Sequence, residues 1–320
     1  MISILRSNQP IAWGLVFVVL FVIGGAGWAA HNWAWEALLP HAATGVAVAA
    51  IVHLLYTRGG FVERADSAAS IFTAWFWMAA GIALPAESMA WRTALGLLVM
   101  LWAWRPTLKI QRQASTAHLA FSAGALTGLA WLLEPALWGA FVGLLLSQLL
   151  TRSFQFREVA LLLIGVAWPL AMAWTWDWLL ADLDLGLWPN LPHLAPSSAD
   201  LPWAVLGVAA VWLVWGLVEA VRTQSGQGLS TQIVRRNALL MGWTAWGGAV
   251  AWDVWTGAGG LSAATWGALA ITAGFSGGLM VPEPGRPFDG QKRRRQVVMA
   301  AIWVVAGGFW GAVWLSQIAA

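Results

Sequence analysis

The sequence predicts an all-α fold: a polytopic transmembrane helical bundle of about eleven spans, with 1–320 forming a single integral-membrane domain. Three observations predict it. The 320 residues are 60% hydrophobic and only 10% charged, with mean hydropathy +0.69, whereas ordinary soluble domains carry about 25% charged residues. Long apolar runs alternate with short polar segments. Sixteen of the 17 Lys and Arg residues fall in every second polar segment, which is the bias of the positive-inside rule.

Apolar runs cover 11–30, 41–57, 68–86, 89–104, 118–134, 136–151, 159–176, 203–221, 237–256, 263–281 and 297–318. A helix crosses the hydrocarbon layer in roughly 20 residues, and about 17 can suffice. The second, fourth and sixth runs are short on that scale. The first follows Arg6 and has the pattern of a signal peptide, with small residues at Ala29 and Ala30. We read it as a retained anchor that starts the topology.

Charge then orients the thread. One set of connecting segments holds Arg6, Arg58, Arg64, Arg105, Lys109, Arg112, Arg152, Arg157, Arg222, Arg235, Arg236, Arg286 and the run Lys292 to Arg295. The alternate set holds eight acids, Glu36, Glu87, Glu134, Asp177, Asp182, Asp184, Asp200 and Asp253, against Arg92 alone. Eleven crossings with the N-terminus in and the C-terminus out fit this distribution. The basic pI of about 10.2 belongs to those inner segments and gives no reason to expect a nucleic-acid partner.

Aromatic and small residues agree with that thread. Of 27 tryptophans, many lie at expected outer ends, among them Trp91, Trp131, Trp138, Trp174, Trp176, Trp255 and Trp266. Indole prefers the headgroup zone, where the ring is half dry and the N–H is wet; a platform for sugar faces is the sharper alternative. Gly124 with Gly128, Gly139 with Gly143, and Gly307 with Gly311 are each four apart, so each pair shares one helix face and permits close helix contact.

Two connecting loops stand out. The periplasmic loop 177–202 begins with acids, Leu and Trp, giving it room for a helix lying in the interface. Its second half holds Pro189, Pro192, Pro196 and Pro202 and is irregular. The cytoplasmic loop 282–296 ends in Lys292, Arg293, Arg294 and Arg295, a stop-transfer signal and an anchor for anionic lipid.

Chemistry-bearing residues are sparse. Arg92 is the lone base on the acidic side, and pairing with Glu87, Glu134 or Asp253 would lower its cost at the membrane interface. This outer polar cluster is the expected binding feature; gripping a phosphate or carboxylate is the alternative role for Arg92. Glu36 and Asp177 are the weak catalytic candidates. On the inner side Arg152, Arg157 and Glu158 form a basic turn open to a partner contact. His53 and His118 read as hydrogen-bonded packing residues, and Glu219 with Arg222 as a helical ion pair. With no cysteine, HExxH or Walker loop, no metal site and no cofactor are expected. Carboxylates near span centres, which proton or ion pathways use, are missing from the runs.

The opening Ile2 to Pro10 and the segment Arg152-Ser153-Phe154-Gln155-Phe156-Arg157-Glu158 resemble an uncharacterised family of multi-span inner-membrane proteins from Bacteroidota. That family has an Arg-Ser-Phe-Asn-Trp-Arg-Glu-Trp type segment, from which this chain departs at Gln155, Phe156 and Val159. The resemblance implies a bacterial inner (cytoplasmic) membrane location in a Gram-negative envelope and brings no activity with it. Three functions stay open. The first is a non-catalytic subunit of an envelope assembly for protein export, motility or glycan assembly, with membrane lipids and other membrane-protein subunits as partners. The second is an outer-face enzyme acting on polyprenol-linked sugars, similar to membrane glycosyltransferases that place an acid after the first span, where Glu36 stands. The third is a transporter or lipid flippase.

Overall fold

The computed structural model describes residues 35–58, 73, 77, 91–110, 116–151, 156–179, 229–256 and 262–280. Among them are seven α-helices and one short 3-10 turn, with no strand. The helices are α1 (Trp35–Arg58), α2 (Trp91–Ile110), α3 (Ala117–Leu133), α4 (Trp138–Thr151), α5 (Phe156–Leu179), α6 (Leu229–Thr256) and α7 (Ala263–Met280).

Each helix falls on one of the apolar runs at 41–57, 89–104, 118–134, 136–151, 159–176, 237–256 and 263–281. The runs 11–30, 203–221 and 297–318 lie outside the described residues, as does 68–86 apart from Thr73 and Trp77. Among the described residues one helix, over Phe156–Trp176, is long and apolar enough to cross a membrane by length and composition. Shorter apolar stretches cover His41–Leu55, Ala117–Leu133 and Pro135–Leu150. What stands is an all-helical bundle, and eleven crossings are not established by these helices. The reason lies in their sequences. The first third of α6 carries Ser230, Thr231, Gln232, Arg235, Arg236 and Asn237, and α7 is diluted with Gly, Ser and Thr.

Small residues set the packing. Continuously buried from Ala263 to Ser276, α7 is lined by Ala and Gly with only Trp266, Leu269, Ile271 and Phe275 as large apolar groups. A helix apolar on every side belongs in the interior. Around it, Val48, Val52, Leu97, Met100, Leu101, Trp104, Leu137 and Met241 fill the principal core. Where α3 crosses α5, a Cβ at Gly124 would collide with the Leu162 carbonyl and one at Gly128 with the Val166 carbonyl. Where α4 crosses α6, a Cβ at Gly139 would collide with the Thr244 carbonyl, and Gly248 faces Gly139 directly. Both expected glycine pairs therefore serve backbone approach; Gly307 and Gly311 lie outside the described residues.

The outward surface is apolar in its turn. On α5, Leu163, Ile164, Trp168, Met172, Trp174 and Trp176 are all exposed, while Leu162, Val166 and Ala173 of the same helix are buried. Three buried threonine hydroxyls are satisfied within their own helices. Thr127 donates to the Ala123 carbonyl at 2.8 Å, Thr272 to Ala268 at 2.7 Å and Thr107 to Ala103 at 3.1 Å. A four-residue back-bond of this kind lets a polar side chain sit in an apolar interior at little cost.

Interhelical contacts place the helix ends in two groups. Thr93 at the start of α2 meets Glu134 after α3, Trp138 at the start of α4 meets Gly248 near the end of α6, and Asp253 meets Ser262 before α7. This is the acidic end. At the other, Thr116 before α3 meets Glu158 of α5, and Arg236 of α6 meets Leu150 at the end of α4. The exposed arginines Arg157 and Arg236 belong to this basic end.

Candidate functional site

The acidic end is built by two local sequence devices. Pro135 forces its predecessor out of the helical region, and Glu134 accordingly has φ −141° and ψ 98°. Helix α3 ends there, and the 3-10 turn Pro135–Leu137 leads into α4. The kink leaves the Glu134 carboxylate beside α2, where the Thr93 hydroxyl donates to Oε2. The second device is the start of α7. Ser262 caps that helix, its Oγ accepting the Thr265 N–H at 3.3 Å while its carbonyl accepts the Trp266 N–H at 3.1 Å.

Asp253, in the last turn of α6, closes onto this cap. Its Oδ2 accepts the Ser262 N–H at 2.8 Å and the Thr265 hydroxyl at 2.5 Å. A carboxylate at a helix N-terminus also meets the positive end of the helix dipole. Asp253 is 2% exposed, so these donors take the place of its hydration. Glu134 and Asp253 feel one another. The Asp253 charge acts on the Glu134 carboxyl, which also accepts a hydrogen bond from the Ala136 backbone. Trp138 ties the same end together, donating Nε1–H to the Gly248 carbonyl at 3.0 Å.

Of the four residues expected to form the outer polar cluster, the structure brings Glu134 and Asp253 together. Arg92 is exposed, with its guanidinium 5.6 Å from the centroid of the Trp91 ring. Its neighbour Thr93 reaches Glu134 from α2. Glu87 lies outside the described residues. Glu36 falls in the first turn of α1 and Asp177 in the last turn of α5, and the side chains of both lie outside the described residues.

At the basic end, Glu158 is 6% exposed and accepts a hydrogen bond from Thr116. It occupies the first turn of α5, where the helix dipole favours an acid. Arg157 beside it is exposed, and Arg152 lies outside the described residues. Arg105, also exposed, holds its guanidinium 5.0 Å from the Trp102 ring centroid. His118 is exposed, and its carbonyl accepts the Ser122 hydroxyl at 2.8 Å. His53 is half-buried on α1. Of the tryptophans expected at outer ends, Trp91, Trp174, Trp176 and Trp255 are exposed, whereas Trp266 is 4% exposed and belongs to the interior.

Sequence reasoning missed Thr93, Thr116, Ser262 and Thr265, the donors that receive the three acids. The signal for Ser262 was present as a helix-capping serine with Thr265 three positions on. Thr93 and Thr116 had no such local signature, because their partners come from other helices. Among the described residues no group of three or more His, Cys, Asp or Glu side chains could hold a metal ion. Comparison of the chain with protein-family models, curated proteins and solved structures found no match.

Proposed function

We propose that the chain is a multi-span protein of the bacterial inner membrane, with eleven crossings, its N-terminus in and its C-terminus out. Within that membrane we read it as a non-catalytic subunit of a cell-envelope assembly for protein export, motility or glycan assembly. The outward apolar face of α5 supports lipid as its surroundings, since water would be a costly solvent for that surface. The segregation of Arg157 and Arg236 from Glu134 and Asp253 supports the orientation through the positive-inside rule. The resemblance in Arg152 to Glu158 agrees with a Gram-negative inner membrane.

One observation carries the non-catalytic reading. Glu134, Glu158 and Asp253 each accept hydrogen bonds from a neighbouring helix or its cap. A general acid or base must present its carboxyl to a substrate; these are committed to holding helices together.

The native chain contains no cysteine, so single introduced cysteines can be labelled without background. Cysteines in 177–202 and after residue 318 are expected to react with an impermeant thiol reagent from outside, and one in 282–296 only after lysis. Labelling of the C-terminus from inside alone would overturn the thread. For the subunit reading, gentle extraction, blue-native electrophoresis and mass spectrometry should find other membrane proteins in stoichiometric amount. A solitary chain would overturn it. A Glu36→Gln strain with altered surface glycan would instead favour the enzyme.

A further inference from the structure

Helix α2 turns two faces to its surroundings. One, with Leu97, Leu101, Trp104 and Leu108, belongs to the principal core. The other is a row of large apolar side chains left open by the bundle: Trp91 is 64%, Leu95 43% and Trp102 43% exposed, with half-buried Leu98 between them. Positions 91, 95, 98, 102 and 105 follow in steps of 4, 3, 4 and 3, so exposed Arg105 continues the same stripe. Thr93 fixes the start of α2 at the acidic end. Arg105, about 18 Å further along the helix axis, therefore lies at the basic end. Its guanidinium stands 5.0 Å from the centroid of the Trp102 ring. That contact seats the charge against the end of the apolar row and leaves N–H groups for an acceptor from outside. Residues 91–133 contain no acid, and Glu158 at this end is buried against Thr116. Pro106 follows directly and offers no N–H to the Trp102 carbonyl. A backbone acceptor left without its helical donor suits a polar headgroup layer and not hydrocarbon.

An exposed apolar stripe that ends in a seated guanidinium is complementary to an amphiphile with a negatively charged head. We propose that Arg105 and Trp102, with Leu95 and Leu98, form a binding site for an anionic phospholipid. Its phosphate accepts from the Arg105 guanidinium, and an acyl chain lies along Trp102, Leu98 and Leu95 toward Trp91. Guanidinium suits this task because its planar fork matches phosphate oxygens and is weakly hydrated. A partner helix packed along the whole row would have to bury that charge, whereas a headgroup meets it at the interface. The proposal rests on the membrane reading above.

The test uses the full chain in nanodiscs of phosphatidylcholine doped with phosphatidylglycerol of the same acyl chains, with bound lipid counted by native mass spectrometry. At about 1 kcal/mol per basic residue near the surface, Arg105→Gln should bind phosphatidylglycerol about 5-fold more weakly, with phosphatidylcholine binding unchanged. Trp102→Leu should weaken it about 2- to 5-fold through the lost cation–π contact, and Trp102→Phe should recover most of that loss. Both side chains are exposed, so neither substitution removes core packing. Equal phosphatidylglycerol binding by wild type and Arg105→Gln would overturn the site and leave the membrane reading standing. So would an equal loss in Arg157→Gln, which removes another exposed base from the same end and reports general surface charge. Competition by millimolar glycerol phosphate as strong as by lipid would overturn the lipid as occupant. A dimer that Arg105→Gln dissolves while phosphatidylglycerol stays bound would put a second copy on the stripe instead. A chain that does not enter the nanodisc at all would sink the membrane reading.

Discussion

The hydroxyl of Thr93 on α2 donates to the carboxylate of Glu134, 41 positions further along the chain. The bond fastens the start of α2 to the point where α3 breaks and α4 begins. It gives a half-buried carboxylate one of its donors, and Asp253 is held in the same way by Ser262 and Thr265.

Replacing Thr93 with Val keeps the shape and deletes the donor. The Glu134 carboxylate then loses a charge-assisted hydrogen bond, at a cost of about 1–3 kcal/mol. Thermal unfolding in detergent should show a lowered Tm for Thr93→Val and near-complete recovery for Thr93→Ser. An unchanged Tm for the valine variant would remove the latch from the account.

Asp253 joins the end of α6 to the cap of α7. Asp253→Ala leaves the Ser262 N–H and the Thr265 hydroxyl without their acceptor and should cost about 1–3 kcal/mol. Asp253→Asn retains an acceptor oxygen and should cost less, losing chiefly the helix-dipole contribution of about 0.3–1 kcal/mol. Limited proteolysis between α6 and α7 should follow the same order.

Two neighbouring glycines of α6 should respond in opposite ways. Gly248 faces the Gly139 backbone at 2.5 Å from where its Cβ would stand, whereas a Cβ at Gly247 would meet nothing within 4 Å. Gly248→Ala should push α4 and α6 apart and lower the Tm. Gly247→Ala, exposed on the same helix, should raise the Tm, helix propensity adding up to about 1 kcal/mol of stability. Equal effects would mean that the α4–α6 crossing is not set by backbone contact.

Asn237 is 0% exposed, and neither polar atom of its side chain has a hydrogen-bond partner among the described residues. Removing a buried amide of this kind is neutral or favourable when an apolar group of similar shape replaces it. Asn237→Leu should therefore match or exceed the wild-type Tm, and a fall of several degrees would assign the amide a positive role.

The sequence by itself determined the helical class, the places of the helices and the segregation of charge. Those properties are written in runs of adjacent residues: apolar length, Pro135 at the α3–α4 break, glycines four apart, and arginines gathered in alternate connectors. Tertiary structure alone decided which polar groups meet. Arg92 and Thr93 are neighbours on α2, yet helix rotation leaves Arg92 on the surface and turns Thr93 to Glu134. Trp266 stands at a helix start like Trp91, but it is buried because α7 is enclosed by the other helices. Periodicity along one helix names its faces; only the packing of neighbours decides which face is covered, because burial belongs to the assembled bundle.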